Sequence, residues 1–267
     1  MPAQDAEPLV AAERIERRDH ARSLDTALLI VGLIVLWQAG AFILGKDALP
    51  SPVATVSKLA AIMGDEDFPR HAWETARAFF TALAISLAAG LVIGLALGAH
   101  RLAGEVTEPI LAALYAIPKI TLYPVILLLF GLGISAKIAF GVIHGIIPVI
   151  LFTMNAVRNI RAVYLRSARA MRLTLAQTAG TIIIPAALPE IVSGFRIGFA
   201  LTLLGTLIGE MFASQRGIGY MLVKAMETGD TATVMSLALL LVVIAVTASA
   251  LLLAVDRRLR RNMLGTA

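Results

Sequence analysis

The sequence predicts an all-α polytopic membrane bundle of six transmembrane helices with a folded helix-turn-helix loop on the cytoplasmic side. Three observations carry this reading. The 267 residues are 58% hydrophobic and only 15% charged, with a mean hydropathy of +0.84, outside the range of soluble domains of this size. Six apolar runs approach or exceed the roughly 20 residues that a helix needs to cross the hydrocarbon core. Arginines concentrate in alternate connecting segments, the asymmetry that orients a chain in a membrane.

Residues 1–23 are polar and charged and form an N-terminal tail. The first run, Ala27 to Leu44, follows Arg14, Arg17, Arg18 and Arg22 in the manner of a secretory leader. It is too long for a leader's apolar segment and no A-x-A site follows, so it reads as an uncleaved span. The other runs are Ala78 to Ala99, Pro109 to Phe130, Ile134 to Val157, Ile191 to Ala213 and Val234 to Val255. A membrane domain over residues 24–262 results, with 263–267 as a short tail. The runs are continuous and lack the alternation of barrel strands, and helices satisfy every backbone amide internally.

Between the first two runs, Leu49-Pro50-Ser51-Pro52 interrupts any helix. The spacing of Val56, Leu59, Ala60 and Met63 then predicts a short surface helix. In the second run Gly90, Gly94 and Gly98 share one helical face, which lets another helix approach closely. Gly141 and Gly145 repeat the device in the fourth run, where Pro148 adds a kink.

With the N-terminus inside, the four arginines of the tail, Arg101, the five from Arg158 to Arg172, and Arg257, Arg258, Arg260 and Arg261 all fall on the cytoplasmic side, 14 of the 23 basic residues. Both termini are then cytoplasmic. The basic balance reports topology and attraction to anionic membrane lipid, not nucleic-acid binding. The chain has no cysteine, which excludes disulfides and thiolate metal sites.

The inner segment Arg158 to Pro189 is too patterned to be a linker. Val163 to Met171 reads as a helix, and Thr174-Leu175-Ala176-Gln177 has the T-x-x-Q form of a capping box that starts a second one. Pro185 and Pro189 are expected to stop or bend that helix before the fifth span. A basic loop that merely sets topology is the plainer reading.

Lys119 lies within the third run between Pro118 and Pro124, where a charge costs about 3 kcal/mol on insertion scales. Either it lines a path for an anionic solute, or it is held in an ion pair, for which Glu210 of the fifth run is the available partner. Thr206, Thr202, His144, Asn155 and Gln38 are further polar groups within spans, a common means of joining helices. No H-E-x-x-H, G-x-S-x-G or G-x-x-x-x-G-K-[ST] motif occurs, so there is no catalytic constellation, no cofactor or metal is implied, and the chain cannot hydrolyse ATP as a P-loop protein.

From Ser167 to Pro189 the inner segment resembles the EAA loop of bacterial ABC-importer permeases. Leu49-Pro50-Ser51-Pro52, Ala116-Ile117-Pro118-Lys119, Phe130-Gly131-Leu132-Gly133-Ile134-Ser135, Pro185-Ala186-Ala187-Leu188-Pro189, Gly194-Phe195-Arg196, Gly209-Glu210-Met211 and Gly217-Ile218-Gly219-Tyr220 follow in the order of the nitrate, sulfonate and taurine permease branch. The resemblance covers about residues 49–262 and implies a type I ABC importer permease fold. It implies an importer subunit that forms the solute path as a homodimer, with two ABC ATPase subunits and a periplasmic solute-binding protein as partners, in the bacterial inner membrane. Arg166, Ser167, Ala168, Arg169, Met171, Arg172, Thr174, Pro185 and Pro189 would couple to the ATPase, and Lys119, Glu210 and Thr206 would border the path.

The loop departs from the family at two positions. Arg166 stands where Glu is usual, and Arg172 where a turn glycine is usual. Because left-handed backbone costs a non-glycine residue about 1 kcal/mol or more, the elbow is expected to bend differently here. The rival functions are a stand-alone ion-coupled transporter or channel, with Lys119 and Glu210 as coupling groups, and a membrane scaffold.

Overall fold

The computed structural model describes residues 6–264. Its helices are α1 (Ala6–Leu44), α2 (Pro52–Met63), α3 (Phe68–Ala99), α4 (Arg101–Ala116), α5 (Tyr123–Phe130), α6 (Ile134–Arg158), α7 (Ala162–Ala170), α8 (Leu175–Thr178), α9 (Ile184–Ala213), α10 (Ile218–Glu227) and α11 (Thr231–Leu264). Most of the expected polar tail is thus helical and continuous with the first span.

Among the described residues five helices are long and apolar enough to cross a membrane, and the third run falls in a broken pair, Arg101–Ala116 and Lys119–Phe130, bent by 85°. The continuous third span expected from Pro109 to Phe130 is therefore corrected. Proline biases its predecessor toward extended backbone and lacks an amide. Ile117 accordingly sits at φ −62°, ψ 132° and ends α4, and a single 3₁₀ turn, Lys119–Leu122, leads into α5. Pro52 and Pro185 lie in the first turn of α2 and α9, where a missing amide is harmless. Of the stop or bend expected at Pro185 and Pro189, no stop is found before the fifth span. Pro189 lies inside α9, and a π-helical stretch, Ala179–Ile183, joins α8 to α9, giving one apolar run from Gly180 to Phe212.

α6 is the central rod: half of its span is buried, against 6% for the span of α1. Lipid supplies no hydrophobic drive between helices, so close packing must hold them. The glycine face of α3 does this. A Cβ at Gly90, Gly94 or Gly98 would come within 2.7 Å of Val149, 2.6 Å of Thr153 and 2.8 Å of Val157 respectively, so each glycine seats one residue of a matching four-residue ladder on α6. Continuing the same row of α6, Gly141 and Gly145 receive Thr206 and Thr202 of α9. The rings of Phe79 and Phe199 meet edge to face at 4.9 Å and tie α3 to α9 directly.

Candidate functional site

At the end of the bundle away from the α7–α8 elbow, α3, α6 and α9 enclose a polar knot. Glu210, near the end of α9, has no exposed surface. Thr75 of α3 donates its hydroxyl to the Glu210 carboxylate, 2.9 Å from Oε1 and 2.8 Å from Oε2. The Lys137 ammonium, 2% exposed, lies 3.7 Å from Glu210 Oε1 and 3.7 Å from Glu74 Oε2, and donates to the Arg216 carbonyl at 2.8 Å. A buried charge requires such a partner set.

The knot also holds α10. A helix begins with amides that have no partner inside it. Here the amide of Gly217 donates to His71 Nδ1 at 3.0 Å, that of Ile218 to Thr75 Oγ1 at 2.8 Å, and that of Gly219 to Glu210 Oε2 at 3.0 Å. Three side chains from α3 and α9 thus cap α10 across the fold. Gly217 adopts φ 124°, and a Cβ there would collide with the Glu210 carboxylate, so glycine alone fits the turn. Beside the knot, Glu74, Gly133, Lys137, Gln215 and Arg216 border a recess of about 380 Å³.

The ion pair open to Lys119 in the sequence is not formed, because Glu210 belongs to Lys137. Lys119 instead stands at the break between α4 and α5. Its ammonium donates to the Tyr115 carbonyl at 2.9 Å, replacing the backbone amide that the break withdraws, and lies 4.9 Å from the Tyr115 ring centre. Thr206 is fully buried and donates to the Thr202 carbonyl at 2.9 Å. In a single copy, then, Thr206 and Glu210 are internal, and only Lys119 is partly open. Lys137, near the start of the fourth run, was not among the polar groups expected to matter within spans. A signal existed: it shares the four-residue spacing of Gly141 and Gly145, the face that meets α9.

The elbow is built as two closures in succession. Arg172 takes the left-handed conformation at φ 54°. Its amide donates to the Arg169 carbonyl and that of Leu173 to the Ala168 carbonyl, both at 3.0 Å, the paired bonds that terminate a helix at a left-handed residue. Arginine here occupies a left-handed conformation that favours glycine. The capping box then forms as read: the Thr174 amide donates to Gln177 Oε1 at 2.9 Å and the Gln177 amide to Thr174 Oγ1 at 3.3 Å. Arg166, Ser167, Arg169, Met171, Arg172, Thr174 and Pro185 are exposed, Pro189 is half-buried, and Ala168 is turned inward at 3% exposure. Next to the elbow, Arg158 pairs with Glu108 at 2.6 Å.

Residues 86–261 match the family described as binding-protein-dependent transport system inner membrane component. The chain belongs to this family. The permease is 28% identical over 243 residues to the taurine transport system permease protein of Escherichia coli, covering 89% of this chain and 88% of that one. It is 27% identical to the putative aliphatic sulfonates transport permease protein of Bacillus subtilis, over 76% and 75% of the two chains. It is also 27% identical to the nitrate import permease protein of Synechococcus elongatus, over 73% and 74%. A chain of the inward-facing MetNI methionine ABC transporter superposes with a TM-score of 0.62 at 22% identity, covering 71% of the permease and 94% of that chain, which establishes the shared fold.

The permease is therefore a multi-pass inner-membrane subunit of an ABC importer, and neither a stand-alone ion-coupled transporter nor a scaffold. Two of its ordered motifs, Gly209-Glu210-Met211 and Gly217-Ile218-Gly219-Tyr220, are the two halves of the polar knot, and Gly133 of a third borders the adjoining recess.

Proposed function

We propose that two copies of this permease form the import path for a small solute bearing an anionic group, with both termini cytoplasmic. Two copies of a separate ATPase dock on the elbow, and a solute-binding protein delivers cargo at the far, outer end. The observation that carries the reading is the broken span at Lys119. A helix interrupted in the bilayer, with a cation and Pro118 at the break, cannot face lipid and is tolerated against protein or a water-filled cavity. A second copy facing α4 and α5 supplies that cover and puts Lys119 beside the path. The names of the relatives, with taurine, aliphatic sulfonates and nitrate as cargo, agree with a cation there.

The groove of about 390 Å³ lined by Lys58, Asp65, Asp67, His71, Tyr220 and Lys224 supports the outer end as the face for the binding protein. Arg166, Ser167, Arg169, Met171, Arg172 and Thr174 form the ATPase contact, Ala168 seats the elbow on the bundle, and Pro185 and Pro189 set its exit. Arg166 calls for an acidic residue on the ATPase. The test is copurification of the tagged permease with the neighbouring ATPase and vanadate-sensitive uptake into vesicles. Uptake by the permease alone under an imposed ion gradient would overturn the reading. A charge swap between Arg166 and its acidic partner restores coupling lost in each single variant; failure of rescue would remove that contact.

A further inference from the structure

The seat of α10 is made of the far ends of two long helices, and one of them runs without a break to the elbow. Glu210 stands three residues from the last residue of α9. Followed the other way, the same apolar run reaches Gly180, 33 residues in all from Gly180 to Phe212, roughly 50 Å of helix. Beyond it lies the short α8, whose start is the Thr174–Gln177 box. The prolines that would have uncoupled the two ends are absorbed, one in the first turn of α9 and one within it.

At its far end this rod grips α10 through a bond that little else can replace. The Gly219 amide has Glu210 Oε2 as its acceptor, and the Ile218 amide has Thr75, which is itself bonded to the same carboxylate. Displacing α10 without displacing α9 would leave the buried amides of Ile218 and Gly219 without acceptors, which is costly in a low-dielectric interior. Glycines at the contacts, Gly209 against Lys137 and Gly219 against the Leu207 carbonyl, leave no slack in the packing.

We propose that Glu210 is a positioning residue that locks α10 to α9, so that α10 and the elbow move as one body across the membrane. A partner that shifts α10 at the outer face is thereby sensed at the elbow through a single helix. The significance for transport rests on the importer reading above, but the mechanical link itself does not.

The absence of cysteine permits single-site labels without background. A nitroxide is placed on Met171→Cys at the elbow or, as a reference, on Leu128→Cys of α5, both highly exposed positions, in the full chain in lipid nanodiscs. Glu210→Gln and Thr75→Val are introduced separately, the second serving if the first fails to fold. In either variant, exchange of the Ile218 and Gly219 amides accelerates about tenfold or more. The mobile fraction of the Met171 label rises about twofold, with the Leu128 label unchanged.

Faster exchange at α10 with no change at Met171 would refute the link. So would unchanged exchange at α10, or equal loosening of both labels, which is the mark of general destabilisation. None of these readouts requires the ATPase or a solute, so failure here is distinct from failure of the copurification and uptake tests.

Discussion

Lys137 and Glu210 meet inside the bundle, ammonium to carboxylate at 3.7 Å, with 2% and 0% of their side chains exposed. Removing one member of a buried pair strands the other at a cost of about 3–5 kcal/mol. Lys137→Met strands both Glu210 and Glu74, whereas Glu210→Gln leaves Lys137 with Glu74. The lysine variant is therefore expected to lose more stability, and the double variant to lie closer to wild type than Lys137→Met alone. Unfolding of the purified chain in detergent measures this. Strictly additive losses would show that the two do not interact.

The α3–α6 seam predicts a sharp positional contrast. A methyl added at Gly94 lands 2.6 Å from Thr153 Cβ and 2.8 Å from the Ile150 carbonyl, while one at Gly32 on α1 meets nothing within 4 Å. Gly94→Ala is expected to cost about 1–3 kcal/mol through overpacking, and Gly32→Ala to cost nothing, since alanine favours a helix over glycine. Thermal midpoints of the two variants decide the matter.

At the elbow, Arg172 holds φ 54°, a conformation that costs a side-chain-bearing residue about 1–2 kcal/mol. Arg172→Gly removes that strain but adds chain entropy on unfolding, for a net gain of up to about 1 kcal/mol. Arg172→Val adds β-branching and destabilises the turn. Amide exchange at Leu173, whose bond to Ala168 closes the helix, is expected to slow with glycine and quicken with valine.

Asp230 predicts a pH dependence. Hydrogen bonds from the Thr233 hydroxyl and then its amide, followed by the attraction of Lys58, hold its carboxyl below the ordinary value of 3.8. A carboxylate whose folded value is lowered adds stability that is fully present above the unfolded value and is lost as pH falls through the folded one. Asp230→Asn should thus be less stable than wild type at neutral pH, and the gap should close as pH drops below 3.8. Its carboxylate is 41% exposed, so the gap is small. A constant gap down to strong acid would contradict the assignment.

Much of the architecture was legible along the chain because lipid imposes it locally. Apolar length marks a span wherever it occurs, and the four-residue spacing of Gly90, Gly94 and Gly98 announces a close contact before its partner is known. The Thr174–Gln177 box was legible for the same reason, since both members lie within one turn. The third run misled because hydropathy sums over Pro118 without registering the amide it removes. Pro185 and Pro189 misled in the other direction: the first falls in a first turn, where a missing amide is harmless, and α9 continues through the second.

The sequence by itself determined that this is a six-run helical membrane protein with a structured elbow, and its ordered motifs determined its family. Only the tertiary structure decided which charges meet. The sequence offered Glu210 to Lys119, and the structure gives it to Lys137. The choice rests on the register of α6 against α9, set by Gly209, Gly141 and Gly145, and on α3 delivering Thr75 to the same point. A helix carries its periodicity in its own residues, but a buried charge finds its partner across helices far apart in the chain, where only packing fixes the distance.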